Sequence, residues 1–284
     1  MKNRFLILLS FVLIVGRDVV CANTSMVRER ININRDWRYQ IDDPDGVGAA
    51  LHYSRLKPYL LPCANDFIIF GKRYQRPEGN PGENIAYVKS DFDDSEWRHL
   101  NLPHDWAIEG PFNIDYNGST GKLPYWGIRW YRKTLELSQD DAGKQIYLDI
   151  DGAMSYVSVW CNGQYVGGWP YGYASFRLDL TPYIKAGQKN VLAIRLDNPD
   201  DTSRWYPGSG IYRNVWLVKT SPVHVEQWGT FVRNQQVDSE IAVMEMGVNI
   251  ENHAGKDVQV KLQTSVYLQG KDGRPVGEEV TQSM

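Results

Sequence analysis

Between Ile146 and Leu217 apolar residues recur at every second position in short runs, and that period commits the chain to β-structure. Ile146, Leu148 and Ile150 alternate with Tyr147 and Asp149, and Val157, Val159 and Cys161 alternate with Tyr156, Ser158 and Trp160. Phe176, Leu178 and Leu180 follow, then Leu192, Ile194 and Leu196, then Val215 and Leu217. Successive side chains of a strand point to opposite faces, so each run predicts a strand with one face in a core. Asn162-Gly163 separates two such runs, and both residues tolerate the positive φ that a tight type I′ hairpin turn needs. Strands at roughly ten- to fifteen-residue intervals, with no helical period between them, predict an all-β antiparallel sandwich.

Residues 42–90 break the pattern. Pro44, Pro58, Pro62, Pro77 and Pro81 fall among Gly and Asn, most densely in Arg76-Pro77-Glu78-Gly79-Asn80-Pro81-Gly82. Such a stretch predicts an ordered loop or insertion, either carrying function or covering a surface. A domain boundary is expected near Ser221-Pro222, dividing residues 23–222 from 223–284. Beyond it the alternation is plainer, through Ile241, Val243, Val248, Ile250, Val258, Val260 and Leu262. About 60 residues remain there, short of the roughly 100 of a complete immunoglobulin-like sandwich. The chain is therefore expected to be part of something longer.

The first residues read as an export leader. Lys2 and Arg4 precede an apolar run from Phe5 to Val15, too short to span a bilayer as a mature helix. Val20-Cys21-Ala22 offers a cleavage site, giving residues 1–22 as signal peptide and Asn23 as mature start. An exported, periplasmic or extracellular protein follows, without a transmembrane segment after cleavage. Cys21 as a lipid acceptor is the alternative, weakened by Val20 where a smaller residue is usual.

Lys and Arg total 31 against 34 Asp and Glu, and this balance argues against a nucleic-acid partner. Cys63 and Cys161 remain after cleavage, as a single bridge or as two separate thiols. No Gly-rich phosphate loop, His-Glu-x-x-His, Cys-x-x-Cys or Gly-x-Ser-x-Gly occurs, and the five His are scattered. No metal site, catalytic residue or cofactor is expected. The acidic run Asp91, Asp93, Asp94 and Glu96 reads first as a solvated turn and only second as a Ca²⁺ site. Asp149 and Asp151 read as strand-end turn chemistry.

The informative stretches mix aromatic and polar residues. They are Leu102-Pro103-His104-Asp105-Trp106, then Tyr125-Trp126 with Trp130-Tyr131-Arg132-Lys133, and the segment from Asn198 through Arg204-Trp205 to Trp216. Sugars offer C–H faces to rings and hydroxyls to paired donors and acceptors, a chemistry that Trp and Tyr beside Asp, Asn and Arg supply. The same aromatics, 12% of the chain, also suit a sandwich core or a domain interface.

Four motifs together resemble glycoside hydrolase family 2, the β-galactosidase, β-glucuronidase and β-mannosidase family. They are Pro103-His104-Asp105-Trp106, Trp130-Tyr131-Arg132-Lys133, the Asn162-Gly163-Gln164-Tyr165-Val166-Gly167-Gly168-Trp169 hairpin, and Gly208-Ser209-Gly210-Ile211-Tyr212-Arg213-Asn214-Val215. The likeness runs from about Arg30 to Val218 and is greatest to exported Bacteroides-type β-galactosidases, Pro-rich insertion included. It implies a jelly-roll sugar-binding domain at 23–222, then the opening strands of an immunoglobulin-like sandwich at 223–284. It also implies a catalytic (β/α)₈ barrel with two glutamates, for which these residues leave no room. The chain alone is accordingly expected to be inactive, and its partners to be a β-glycoside and the missing barrel. By the same resemblance Asp105, Arg204 and Trp205 contribute to a wall of the sugar pocket. Arg204 departs from the β-galactosidase and β-glucuronidase types of the family, which carry Asp at that position. Two other classes stay open: a free-standing carbohydrate-binding module, and an adhesion sandwich without a sugar site.

Overall fold

The structure, a computed structural model, describes residues 5–10, 28–68, 70–118, 121–200, 208–268 and 273–283. It is nearly all β, with 43% of residues in strands against 12% in helices, as the period-two pattern requires. The chain divides into two compact units at Lys219/Thr220. The first strand, β1 (Phe5–Ser10), belongs to the second unit.

The first unit is a two-sheet antiparallel sandwich. Its early strands are β2 (Arg28–Asn32), β3 (Trp37–Ile41), β4 (Arg98–Leu100), β5 (Gly127–Glu136) and β6 (Gln145–Ile150). Its later strands are β7 (Val157–Cys161), β8 (Gln164–Trp169), β9 (Phe176–Asp179), β10 (Lys189–Asn198) and β11 (Val215–Thr220). One sheet has the order β4-β3-β5-β10-β7-β8, the other β2-β11-β6-β9. Between them lies a core that includes Trp37, Tyr131, Leu148, Val159, Ile194 and Val215. Leu148, Val159, Ile194 and Val215 are inward positions of the runs that alternate in the sequence. Asn162 and Gly163 turn β7 into β8 with φ of 51° and 79°, as a type I′ hairpin demands.

The outward face of the six-stranded sheet is where the sequence misleads. Ser158, Trp160, Trp130, Ala193, Arg132 and Arg195 point away from the inner core, yet all are buried. The Pro-rich insertion covers them and forms a second core. Its helix α1 (Tyr53–Leu60) is capped by His52 and lays Leu56 and Leu60, one turn apart, into that core. Eight residues with Pro58 among them give too weak a helical period to read in advance. The rest of the cover is strapped to the β7–β8 hairpin. Asn80 donates to the Gly163 carbonyl at 3.0 Å and accepts from the Tyr165 N–H at 2.7 Å. The Arg76 guanidinium donates to the carbonyls of Val166 and Tyr165, and the Trp160 indole N–H reaches the Pro81 carbonyl at 2.7 Å. Gly82 has φ +82°, and a Cβ there would stand 3.1 Å from the Trp160 ring. Of the two roles the sequence left open for this stretch, the structure assigns surface cover.

Four of the candidate acidic residues have structural partners. Asp94 takes Arg132 at 2.7 Å, and Asp93 accepts from the Ser95 N–H, so the acidic run is a turn with a buried arginine's counter-ion. Asp149 holds Arg177 through two bonds of 2.6 and 2.8 Å, while Asp151 accepts from the Trp216 indole. Cys63 and Cys161 are separate thiols, and burial pushes the Cys161 thiol up to about 12.

The second unit contains β12 (Val223–Val237), β13 (Ala242–Asn252), β14 (Lys261–Tyr267) and β15 (Pro275–Ser283). β1-β13-β12 form one antiparallel sheet, and β14-β15 form a hairpin. Val248 and Ile250 pack with Val223, Val225, Met246, Val260 and Leu262 in a small core. β1 pairs with β13 in the register Phe5↔Ile250 to Ser10↔Glu245. It lies within the stretch that the sequence reads as a leader, so cleavage after Ala22 would remove it and open that edge of β13.

Candidate functional site

Of the three sequence-predicted site residues, the structure describes Asp105; Arg204 and Trp205 lie outside the described residues. Asp105 follows a segment held on both sides. The Leu102 N–H donates to the Asn34 carbonyl at 2.8 Å, and the His104 N–H to the Ile211 carbonyl at 2.9 Å. The His104 ring is buried against Tyr131, with Nδ1 2.7 Å from the phenol oxygen. Asp105 Oδ1 accepts from the Ala107 N–H at 2.9 Å and from the Ser209 N–H at 3.1 Å. The second of these crosses from one motif to the other, joining residues 104 positions apart. Burial raises the Asp105 carboxyl above its ordinary range, and the backbone N–H groups of Ala107 and Ser209 counter that in part. Oδ2 lies beside Gly208, where an added Cβ would sit 3.7 Å away.

Both ends of the segment that carries Arg204 and Trp205 are fixed near this carboxylate. On the leading side, Asn198 donates to the Tyr125 carbonyl at 2.8 Å and to the Gly208 carbonyl at 3.1 Å. The Tyr125 phenol donates to Asp200 at 2.6 Å. On the trailing side the Ser209 hydroxyl donates to the Tyr125 carbonyl. Gly210 has φ +85°, and a Cβ there would fall 2.3 Å from the His104 carbonyl oxygen, so only glycine lets the two motifs approach this closely. Asn198, Tyr125 and Ser209 are thus positioning residues; the sequence placed them in its informative stretches but gave them no role of their own. Their signal was the mix of aromatic and polar residues around Tyr125 and Asn198 and the Gly208-Ser209-Gly210 motif, none of which says locally that the three meet.

A cleft of about 450 Å³ is lined by Tyr39, Arg98, Trp106, Glu109 and Arg129 among others. Arg129 lies over the Trp106 ring, 5.0 Å from its centre, and donates to the Tyr39 phenol at 3.0 Å. Arg98 grips Glu109 through two bonds of 2.7 Å, and Glu109 reaches His104 Nε2 at 3.2 Å. The Arg98 hydrogen bonds hold the Glu109 carboxyl below its ordinary range, while burial holds the His104 imidazole below its ordinary 6.5.

The signs of both shifts run the same way. The folded chain resists protonation of His104, whereas the unfolded chain accepts it, so stability falls as pH drops below the ordinary histidine value. Glu109 contributes stability above the ordinary carboxylate value and loses it as pH falls through its lower folded value. Thermal melting between pH 7 and 4 is therefore expected to show a falling midpoint. His104→Gln should flatten the part of the fall that begins near neutral pH; an unchanged pH profile in that variant would refute the assignment.

This arrangement has relatives. Residues 86–221 match the family profile described as "Glycosyl hydrolases family 2, sugar binding domain". The chain is 40% identical over 263 residues to a β-galactosidase of Bacteroides ovatus, covering 91% of this chain and 26% of that protein. It is 36% identical over 194 residues to a putative β-glucuronidase of Formosa agariphila, covering 65% of this chain and 19% of the other. Among solved structures it superposes on a β-glycosidase from Bacteroides vulgatus with a TM-score of 0.68 and 30% identity, over 90% of this chain and 28% of that one. A glycosyl hydrolase family 2 member from Bacteroides cellulosilyticus gives a TM-score of 0.70 at 27% identity, with coverages of 90% and 28%. The chain spans about a quarter of the length of these relatives or less. The motifs that join at Asp105 and Ser209 lie inside the matched span, and the chain carries the sugar binding domain of glycosyl hydrolases family 2.

Proposed function

We propose that this chain is the amino-terminal portion of an exported, retaining β-galactosidase-like glycosidase, with Asp105, Arg204 and Trp205 on one wall of the sugar pocket. The observation that carries the reading is the bond from the Ser209 N–H to Asp105 Oδ1, which holds a partly buried carboxylate beside the root of the segment bearing Arg204 and Trp205. Because the Ala107 and Ser209 N–H groups both donate to Oδ1 and the Ile108 N–H also bonds the carboxylate, Asp105 keeps a fixed orientation in which it can accept from a sugar hydroxyl. Trp205 supplies an apolar platform for the sugar's C–H face, and Arg204 donors for its hydroxyls or a carboxylate.

Hydrolysis with retention needs an acid/base carboxyl and a nucleophilic carboxylate roughly 5–5.5 Å apart. Both are assigned to a barrel beyond these residues. The wall's part in the mechanism is to bind and orient the glycoside so that its anomeric carbon faces that pair. Residues 1–22 act as the export leader in this reading.

The test is kinetic. The present chain is expected to give no turnover of nitrophenyl-β-galactoside, and enzyme-like hydrolysis by it would overturn the assignment of both carboxylates. In the full-length polypeptide, Asp105→Ala should lower kcat/KM roughly 10- to 150-fold, the value of a hydrogen bond to a charged group, about 1.5–3 kcal/mol. Trp205→Ala should cost about 1–3 kcal/mol of substrate binding. Unchanged KM and kcat in both variants would remove the wall from the pocket.

A further inference from the structure

The second unit holds a cluster of side chains that the sugar-binding reading does not use. His224 of β12 and Glu251 of β13 are directly opposed in the antiparallel register, and His253 follows Glu251 by two. Cross-strand partners share a face, and so do residues two apart along an extended segment, so the three side chains rise together from one side of the sheet. That side is opposite the one where Val225, Val248 and Ile250 form the small core. The His253 N–H donates to the Pro222 carbonyl at 2.9 Å and extends the ladder past the end of β13. The His224, Glu251 and His253 side chains are 4%, 8% and 19% exposed.

We propose that His224 Nε2, His253 Nε2 and a Glu251 carboxylate oxygen form a binding site for a zinc-class transition-metal ion. The candidate ligand atoms all lie within 4.8 Å of one another. His224 Nε2 is 3.4 Å and His253 Nε2 3.3 Å from the same Glu251 oxygen. Those separations exceed the roughly 2.7–2.9 Å of a charge-assisted hydrogen bond. These two of the three edges match a tetrahedron whose centre is about 2.0–2.1 Å from each corner, with edges of about 3.3–3.4 Å, the geometry zinc takes with imidazole and carboxylate; the third edge, between the two histidine nitrogens, is at most 4.8 Å.

The tautomer agrees. His224 Nδ1 lies 2.9 Å from the Ser221 carbonyl oxygen, which can only accept, so Nδ1 carries a proton and Nε2 is the ring nitrogen left to face the cluster as a ligand. A histidine whose far ring nitrogen donates to a backbone carbonyl is oriented as metal-ligating histidines are. The two imidazoles stack at 5.8 Å with planes 16° apart, leaving both ring edges directed at one carboxylate. Two imidazoles and one carboxylate favour zinc-like ions over Ca²⁺ or Mg²⁺, which take oxygen ligands. An ion held there would tie the start of β12 to the end of β13, and it stands independently of any role for Asp105.

The test uses the whole chain after chelator treatment. Calorimetric titration with ZnCl₂ should show one equivalent bound, and CoCl₂ should give the visible absorption of a tetrahedral ion. His253→Ala, at a partly exposed position beyond the strand, and Glu251→Gln should each weaken Zn²⁺ binding by about tenfold or more. His52→Ala with His99→Ala should leave it unchanged, and a large excess of CaCl₂ should not displace the ion. Zinc should also raise the melting temperature of the parent chain and not that of His253→Ala. Absence of binding, binding that survives His253→Ala, or displacement by Ca²⁺ would each overturn the proposal; a misfolded Glu251→Gln leaves His253→Ala to decide.

Discussion

Asp43→Ala is expected to destabilise the first unit by about 3–5 kcal/mol, the cost of stripping one partner from a buried ion pair. Asp43 follows β3 and reaches into the cover over the six-stranded sheet. Its carboxylate takes Arg195 Nε and a terminal guanidinium nitrogen at 2.8 Å each, and the Trp130 indole N–H at 2.8 Å. The Arg195 side chain is 3% exposed. Removing the carboxylate leaves that guanidinium with a carbonyl of Leu51 at 3.4 Å and Asp197 at 3.3 Å, both long for charge-assisted bonds. Urea unfolding checks this through the midpoint at unchanged slope. A loss below about 1 kcal/mol would mean that water reaches Arg195 and the cover is loose. Pairing Asp43→Leu with Arg195→Met should recover most of the loss, because no charge then remains buried without a partner.

Trp160→Ala is expected to cost a comparable amount, about 3–5 kcal/mol, by a different route. The ring is fully buried, stacked on Trp130 at 5.4 Å, with Tyr165 edge-on at 5.1 Å. Its N–H is the bond that holds Pro81 of the Pro-rich strap. Alanine leaves a cavity under the strap and orphans that carbonyl. The same urea experiment reads the loss, and limited proteolysis should show cleavage moving into residues 70–90. A stable variant with an uncut strap would show that the cover is held by its other contacts, Asn80 and Arg76 above all. Because Asp43 and Trp160 both touch Trp130, the double variant should fall short of the sum of the two losses.

Both predictions concern a layer that the sequence left open. Residues 42–90 were legible as an interruption, since Pro and Gly forbid a regular strand or long helix wherever they cluster. Their destination was not legible. The partners of Arg76, Asn80 and Pro81 are Val166, Gly163 and Trp160, roughly eighty to ninety positions away, and no local pattern encodes such a pairing. For the same reason Trp160 and Ser158 read as outward-facing positions of an amphipathic strand. They are outward from the inner core and still have no water, because the insertion supplies a second one.

The candidate site divides in the same manner. Asp105 was recognisable from the motif around it, and the glycine of Gly210-Ile211 from its own motif. The bond from Ser209 to Asp105, and the 2.3 Å approach that makes Gly210 obligatory, exist only once the two segments meet at one end of the sandwich. The histidines 224 and 253 illustrate the limit further. Twenty-nine positions separate them along the chain, a spacing that matches no ligand motif, and only antiparallel pairing of β12 with β13 sets them on one carboxylate.

By itself, then, the sequence determined the strands between Ile146 and Leu217, the Asn162-Gly163 turn and the all-β class, because side-chain alternation and the φ tolerance of single residues are local properties. The motifs were also local, and so was the family likeness they carry. Tertiary structure alone decided which faces are dry, what the Pro-rich insertion covers, and which polar groups share a site. Those outcomes depend on contacts between distant segments, whose closure is decided by the free energy of the whole packed arrangement and not by any window of the chain.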